Sequence, residues 1–529
     1  MSKRLLFLGL LAFAALSLGP VGIMLARVRP EDLTELFGER GLGLLGRTLR
    51  LAGASTGIAL LLGAPFGFLV ARTDIPGRGL LRMLGLVPLI LPPLLLAMTV
   101  TVFAEHWPGY PSAVCVLGLS TFPLVSLFTA RAAERIDGRR EDAALLLGGL
   151  RTVLRVDLPL ILPATLCGAV LAFTFAINDF AVTDYVTFVG RKYTVYAAEV
   201  FMNWRQTKSP GLAVASALPL IGLAMAALLP LLALRRRGAM RSLGGDFVPP
   251  TPLALGRWRW PAFLFCLTVV FFSALLPIGR LTWEATGAPR LLRDPETVVG
   301  LGLVRELALG LVENLQRSLQ LAQADLRNSF LLSAVAASVC VPIGLVIGHA
   351  IERSRLRLLA VGLEALALVP LAAPAVLFGI GFVSVWNHDW SSAFYSDPGL
   401  ASALYAGRFL PFAILSLSAA CASLSPRLEE AAALSGAGPA RRVLSIVGPS
   451  LSNSCWAAWI LVFVFSMREL DAAILVQCAN STAVFRLFNQ VHFGRDANVA
   501  ALSLILIYAI LMPCLSWSVF SKKRLEVLP

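Results

Sequence analysis

The sequence predicts an all-α polytopic membrane protein of about 12 transmembrane helices, on three observations: composition, apolar run length and internal repetition. Hydrophobic residues make up 57% of the 529-residue chain and charged residues 14%, against about 25% charged in soluble domains. Apolar runs of roughly 20 residues, enough to cross a bilayer, recur along the whole length. The net charge of +14 sits in short basic stretches between those runs. That pattern orients membrane helices and contacts lipid; it excludes a nucleic-acid surface as the reason for the charge.

Spans are expected near 5–24, 48–70, 80–103, 112–130, 160–180, 211–234, 261–279, 329–351, 358–385, 399–424, 452–477 and 497–519. Lys3-Arg4 and the apolar run after it resemble an export signal, but the run continues past the cleavage site conceivable at Ala15-Leu16-Ser17, so the first span is kept. With the N-terminus inside, inner loops and tails hold 26 Lys and Arg and the longer outer loops hold 16. Both termini are therefore expected in the cytoplasm. The eight cysteines lie mostly in apolar runs without CxxC spacing, and the four histidines are scattered. Neither set predicts a metal site.

The repetition is specific. Leu86-Val87-Pro88-Leu89-Ile90-Leu91-Pro92 matches Leu368-Val369-Pro370-Leu371-Ala372-Ala373-Pro374 at an offset of 282, and Gly63, Gly67 and Arg72 match Gly344, Gly348 and Arg353 at 281. Six spans per half start and end on the same side, so the halves are parallel repeats. The organisation expected is a first module over 1–240, a basic inner linker over 241–260 and a second module over 261–529. Pro88, Pro92 and Pro93, with Pro370 and Pro374, predict kinked or discontinuous spans at matching places. Within the long 280–327 outer segment, residues 301–323 mix apolar and polar positions at helical spacing, to lie on the membrane or to cap the outer mouth.

One polar loop occurs twice. The first copy, near 139–159, reads Glu141-Asp142-Ala143-Ala144, then Gly148, then Val156-Asp157-Leu158-Pro159. The second, near 427–449, reads Glu429-Glu430-Ala431-Ala432, then Gly436, then Ile446-Val447-Gly448-Pro449. Acidic residues suit a helix start and Gly suits its end. A lone copy is an ordinary helical hairpin; two copies between the fourth and fifth spans of each half point to something outside the membrane gripped twice.

In these loops the chain resembles the permease subunits of type I ABC importers, whose cytoplasmic loop reads Glu-Ala-Ala, three residues, Gly, about nine residues, then Ile/Val-x-Leu-Pro. The second copy keeps that spacing with Gly448 in place of Leu; the first carries Asp142 for Glu and has only seven residues between Gly148 and Val156. The resemblance implies the importer permease fold. It also implies that Glu141, Asp142, Ala143, Ala144 and Gly148, with Glu429, Glu430, Ala431, Ala432 and Gly436, dock a cytoplasmic ATPase subunit present in two copies. It further implies an extracytoplasmic solute-binding protein, a bacterial inner-membrane location and a central alternating-access cavity. Two fused six-span modules look most like the ferric-iron and thiamine permeases, which points to ferric iron; thiamine, organophosphonate and other small solutes are the alternatives.

No catalytic residue is expected. The chain has no Gly-x-x-x-x-Gly-Lys-Ser/Thr loop, and none of its five lysines follows a glycine. ATP and Mg are therefore expected on the partner ATPase, with no cofactor here. Asn178-Asp179 and Arg468-Glu469 occupy equivalent places at an offset of 290, and 175–180 is similar to a route-lining stretch of related permeases. Charges within spans are costly and functional by default. Three readings stay open: lining of the translocation pathway, a solvated outer interface, or ion pairs with basic residues, Arg468 among them. Glu364 and Arg408 are expected to snorkel or to bond between helices. A gradient-driven carrier also shows parallel repeats, but it has no need of two matched docking helices.

Overall fold

The computed structural model describes residues 3–34, 38–103, 107, 109–189, 193–207, 210–236, 248–288, 301–395, 397–476, 481–494 and 496–520. Among these, every regular element is helical apart from an isolated bridge between Thr73 and Leu253. Nine described helices are long and apolar enough to cross a membrane, and three bent helix pairs bring the number of spans to twelve.

The prolines break spans where the sequence predicts. The third span divides into Arg78–Ile90 and Pro93–Phe103 at 96°, the ninth into Arg357–Ala372 and Ala375–Trp386 at 99°. A residue preceding proline is pushed out of the helical region. Leu91 and Ala373 accordingly adopt extended backbone, ψ 131° and 132°. A third break, of 80°, separates Pro439–Ser450 from Ser452–Met467. The first half has no counterpart, because Leu150–Asn178 is one continuous helix.

The 301–323 segment is not a separate piece. It is the start of a single 53-residue helix, Leu301–Arg353. At 1.5 Å per residue that helix is about 80 Å long, against a hydrocarbon core of about 30 Å. No Gly or Pro interrupts residues 311–341, so nothing in the chain stops the helix there. The extension is anchored by Asn314, which donates to the Ala285 carbonyl at 2.9 Å, and by Arg486, which donates to Asp325 at 2.7 Å.

Close packing is built from the repeated glycines. A Cβ on Gly63 or Gly67 would stand 2.6 Å from the Phe122 carbonyl oxygen or 2.3 Å from that of Ser126, both on the fourth span. Gly344 and Gly348 face the tenth span in the same way, at 2.8 Å from Ala413 and 2.7 Å from Ser418. Small residues four apart let two backbones touch where lipid offers no hydrophobic drive.

Two compact units result. One comprises 1–38, 199–221 and 281–529; the other comprises 39–198 and 222–280. The units of packing thus cut across the repeat halves. The first span belongs with the second half's helices: Ser17 donates to the Gly407 carbonyl at 2.7 Å, and glycines at 381 and 407 leave room for the backbone of Pro20 and Leu16. The seventh span packs in the other unit against the second span and the broken third. Both carry a π-turn, Ala14–Leu18 and Phe271–Leu275, which supports their equivalence in the repeat.

Gly67→Ala should lower stability by about 1–3 kcal/mol through overpacking, read as a lower thermal unfolding midpoint in detergent. Gly57→Ala, where a Cβ meets nothing within 4 Å, should leave the midpoint unchanged. Equal midpoints for the two variants would refute the close contact.

Candidate functional site

The first motif lies on helix Gly138–Gly148, capped by Asp137, which accepts from the Arg139 backbone N–H at 3.0 Å. Glu141 turns inward and pairs with Arg72, the last residue of the second span; each residue is only 2% exposed. Arg72 Nη1 also donates to the Thr251 carbonyl at 3.4 Å. One turn on, Ala144 is buried with Val153 and Leu253. The opposite face is open: Asp142 and Ala143 are exposed, and Leu146 and Leu147 are 90% and 83% exposed. An ordinary amphipathic helix would turn such leucines inward.

Part of the linker is woven into this loop. Gly138 N–H donates to the Val248 carbonyl at 2.9 Å, Leu253 N–H to the Arg72 carbonyl at 2.7 Å, and Leu255 N–H to the Asp74 carboxylate at 3.0 Å. Residues 237–247, which hold the linker's Gly-Gly, lie outside the described residues. The loop glycine also differs from expectation. Gly148 is the last helical residue, and Gly149 takes the left-handed backbone at φ 66°.

The second motif lies on helix Pro426–Leu434, with Pro at its first position. Gly436, at φ 80°, makes the expected left-handed turn after it. Glu429 is buried and accepts from Arg353 Nε at 2.8 Å and from His349 Nε2 at 2.7 Å. Arg353 Nη2 also donates to the Leu424 carbonyl at 2.7 Å. Burial pushes the Glu429 carboxyl up, but hydrogen bonds and charge from Arg353 and His349 outweigh it and hold the group below the usual carboxylate range. Glu430 and Ala431 are exposed, Ala432 is half-buried, and Leu434 is 91% exposed.

The two fastenings superimpose in sequence. Arg72 and Arg353 match at the offset of 281, Glu141 and Glu429 at 288. The arginines were visible in the alignment of the halves; their pairing was not, because the partners lie 69 and 76 residues apart. The third group differs. His349 corresponds to Phe68, and Asp157, buried beside Glu141, corresponds to Val447.

The four intramembrane candidates do different work. Asp179 accepts from the Val182 N–H at 3.0 Å and Glu469 from the Ala472 N–H at 2.9 Å. Each carboxylate therefore caps the turn that follows its span, at the same repeat offset of 290. Glu469 also accepts from Arg408 at 3.3 Å, an ion pair between the tenth and eleventh spans. Arg468 lies over the Phe465 ring at 5.3 Å, and Asn178 is buried. Glu364 is buried as well, within the ninth span, and does not snorkel.

The Glu429 fastening should survive mild acid. A carboxyl held below its ordinary value contributes stability above the unfolded value and loses it as pH falls through the folded one. Hydrogen exchange of residues 426–434 should stay protected through the ordinary glutamate range near pH 4.3 and fail only below it. Glu429→Gln should cost about 2 kcal/mol of local protection and abolish the acid transition; an unchanged transition in that variant would contradict this assignment.

The comparisons with known proteins agree with this architecture. A model of the binding-protein-dependent transport system inner membrane component family matches residues 63–238 and again 340–522. The chain is 22% identical over 446 residues to the Fe(3+)-transport system permease protein FbpB 2 of Haemophilus influenzae, covering 83% of this chain and 82% of that protein. It is 32% identical over 157 residues to the molybdenum transport system permease protein ModB of Escherichia coli, 25% of this chain and 66% of that one. The molybdate/tungstate permease WtpB of Thermococcus kodakarensis is 29% identical over 175 residues, 32% of this chain and 69% of its own length. This chain belongs to the binding-protein-dependent transport system inner membrane component family and carries that family's domain twice.

Proposed function

We propose that the chain is a two-module permease of an ATP-driven importer, with helices 138–148 and 426–434 as its two coupling helices. The observation that carries this reading is the pair of loop helices fastened to the second span of each half by an arginine–glutamate pair, buried in the first half and partly buried in the second, with leucines left bare on the outer face. Those leucines suit an apolar groove on an ATPase subunit, one copy for each helix, which holds ATP and Mg itself. The ion pair makes each helix move with its span, so closure of the ATPases is transmitted into the membrane. An extracytoplasmic binding protein delivers solute on the other side, and both termini lie in the cytoplasm of a bacterial cell. The chain performs no hydrolysis.

Ferric iron is the solute we favour, since the iron permease FbpB 2 is a relative whose match spans both modules. A molybdate-type oxyanion is the second reading, favoured by the higher identity of the molybdenum permease over its shorter match. Asp179 and Glu469 would line the route near their capping positions. Proteoliposomes holding the permease, its ATPase and its binding protein should accumulate labelled iron in an ATP-dependent manner; uptake of molybdate alone would reverse the preference.

Leu434→Asp and Leu146→Asp should each cut ATPase co-purification, by about tenfold for a loss of about 1.4 kcal/mol. The second-loop variant should be the more damaging, because that copy keeps the family spacing. Undiminished co-purification in both variants would reject the docking role.

A further inference from the structure

Each loop helix is held by the same kind of pair, yet the third ionisable group comes from a different span in each half. In the first, Asp157 is fully buried. Among the described residues, neither of its carboxyl oxygens nor Glu141 Oε1 meets an N–H or O–H donor of another group. The loop helix packs on the helix that carries Asp157 through Ala144, Val153 and Val156, which brings the two carboxyls together, and among the described residues the cation facing both is Arg72. Two carboxylates against one guanidinium leave an uncompensated buried charge. A hydrogen bond between two carboxyls also requires a proton on one of them.

We propose that Asp157 is a positioning residue that holds the first loop helix through a proton shared with Glu141, leaving Glu141 its charge toward Arg72. The second half needs no such proton. Val447 stands where Asp157 would, and His349 donates to Glu429 from Nε2, a donor in either protonation state when that tautomer is present. Among the described residues, the groups facing Asp157 are Glu141 from the loop helix and Arg72 from the second span; those facing Glu429 are His349 and Arg353, both from the eighth. The first fastening therefore weakens as pH rises above the ordinary aspartate range, whereas the second needs no proton on a carboxyl and keeps its Arg353 pair. The consequence for transport rests on the docking reading above; the shared proton does not.

The test uses the full chain in lipid nanodiscs. Infrared difference spectra at neutral pH should show a protonated carboxyl band that Asp157→Asn removes. Hydrogen exchange of 138–148, corrected for intrinsic rates, should lose protection by about tenfold per pH unit between the ordinary aspartate range and the pH at which the proton leaves. Asp157→Asn should flatten that dependence, because an amide donates without titrating. Residues 426–434 should show no loss over the part of that interval that lies below the ordinary histidine range near pH 6.5. If Asp157→Asn does not fold, Asp157→Val, the residue of the other half, replaces it. A band retained in the variant, or flat protection in the unmodified chain, would overturn the proposal. If the band and the pH dependence are present but no ATPase binds, the docking reading fails and this one stands.

Discussion

A guanidinium at the end of a membrane helix, buried in Arg72 and half-buried in Arg353, has to find a carboxylate, and that requirement organises both loops. Desolvating an unpaired arginine costs several kcal/mol, and removing one partner of a buried pair costs about 3–5 kcal/mol. Arg72 and Arg353 therefore draw Glu141 and Glu429 inward. Once those glutamates point in, helical periodicity sends Asp142 and Glu430 outward with their neighbouring leucines. The face available to a partner is thus set by a charge pair on the opposite side of the same helix. The surrounding apolar cluster of Leu345, Leu417, Val443 and Val447 packs the second loop onto the same span ends.

Glycine supplies the other constraint. Where Gly67 meets Ser126 and Gly348 meets Ser418, backbones approach too closely for any side chain. The second and fourth spans of each half are thereby locked together, and a loop helix tied to the second span is tied to both. The proline-broken third and ninth spans pack against this pairing. Their breaks expose backbone groups that only protein or a lined interior can satisfy within a membrane. Asp179 and Glu469 do similar work at the ends of the fifth and eleventh spans, where each caps a free N–H. A carboxylate engaged in a cap retains its second oxygen for another partner, as Glu469 shows with Arg408.

Symmetry holds in the architecture and lapses in detail. The first loop is shorter, runs directly into the continuous helix Leu150–Asn178 and is strapped by linker residues 248–255. The second has four residues between its loop helix and the next helical piece, and then an 80° break. Two residues fewer in the connection leave less chain to form a separate bent segment. The halves consequently hold similar loop helices with different stiffness and different ionisable neighbours.

Span number, the breaks in the third and ninth spans, the twofold repeat and the two loops were legible in the sequence alone, because hydropathy, proline and glycine act locally and recur at readable intervals; the third break, after Ser450, was not. The tertiary structure decided the rest. It chose the partners of Glu141, Glu429 and Glu469, which lie 69, 76 and 61 residues away. It placed the left-handed turn at Gly149 in place of Gly148 and merged 301–323 into the eighth span's helix. It also assigned the first span to the second half's unit, through a hydrogen bond linking positions 390 residues apart. Apolarity tells a helix to enter the membrane but not which neighbour to pack against. That choice depends on fitting backbone to glycine and charge to charge in three dimensions, and no one-dimensional pattern carries it.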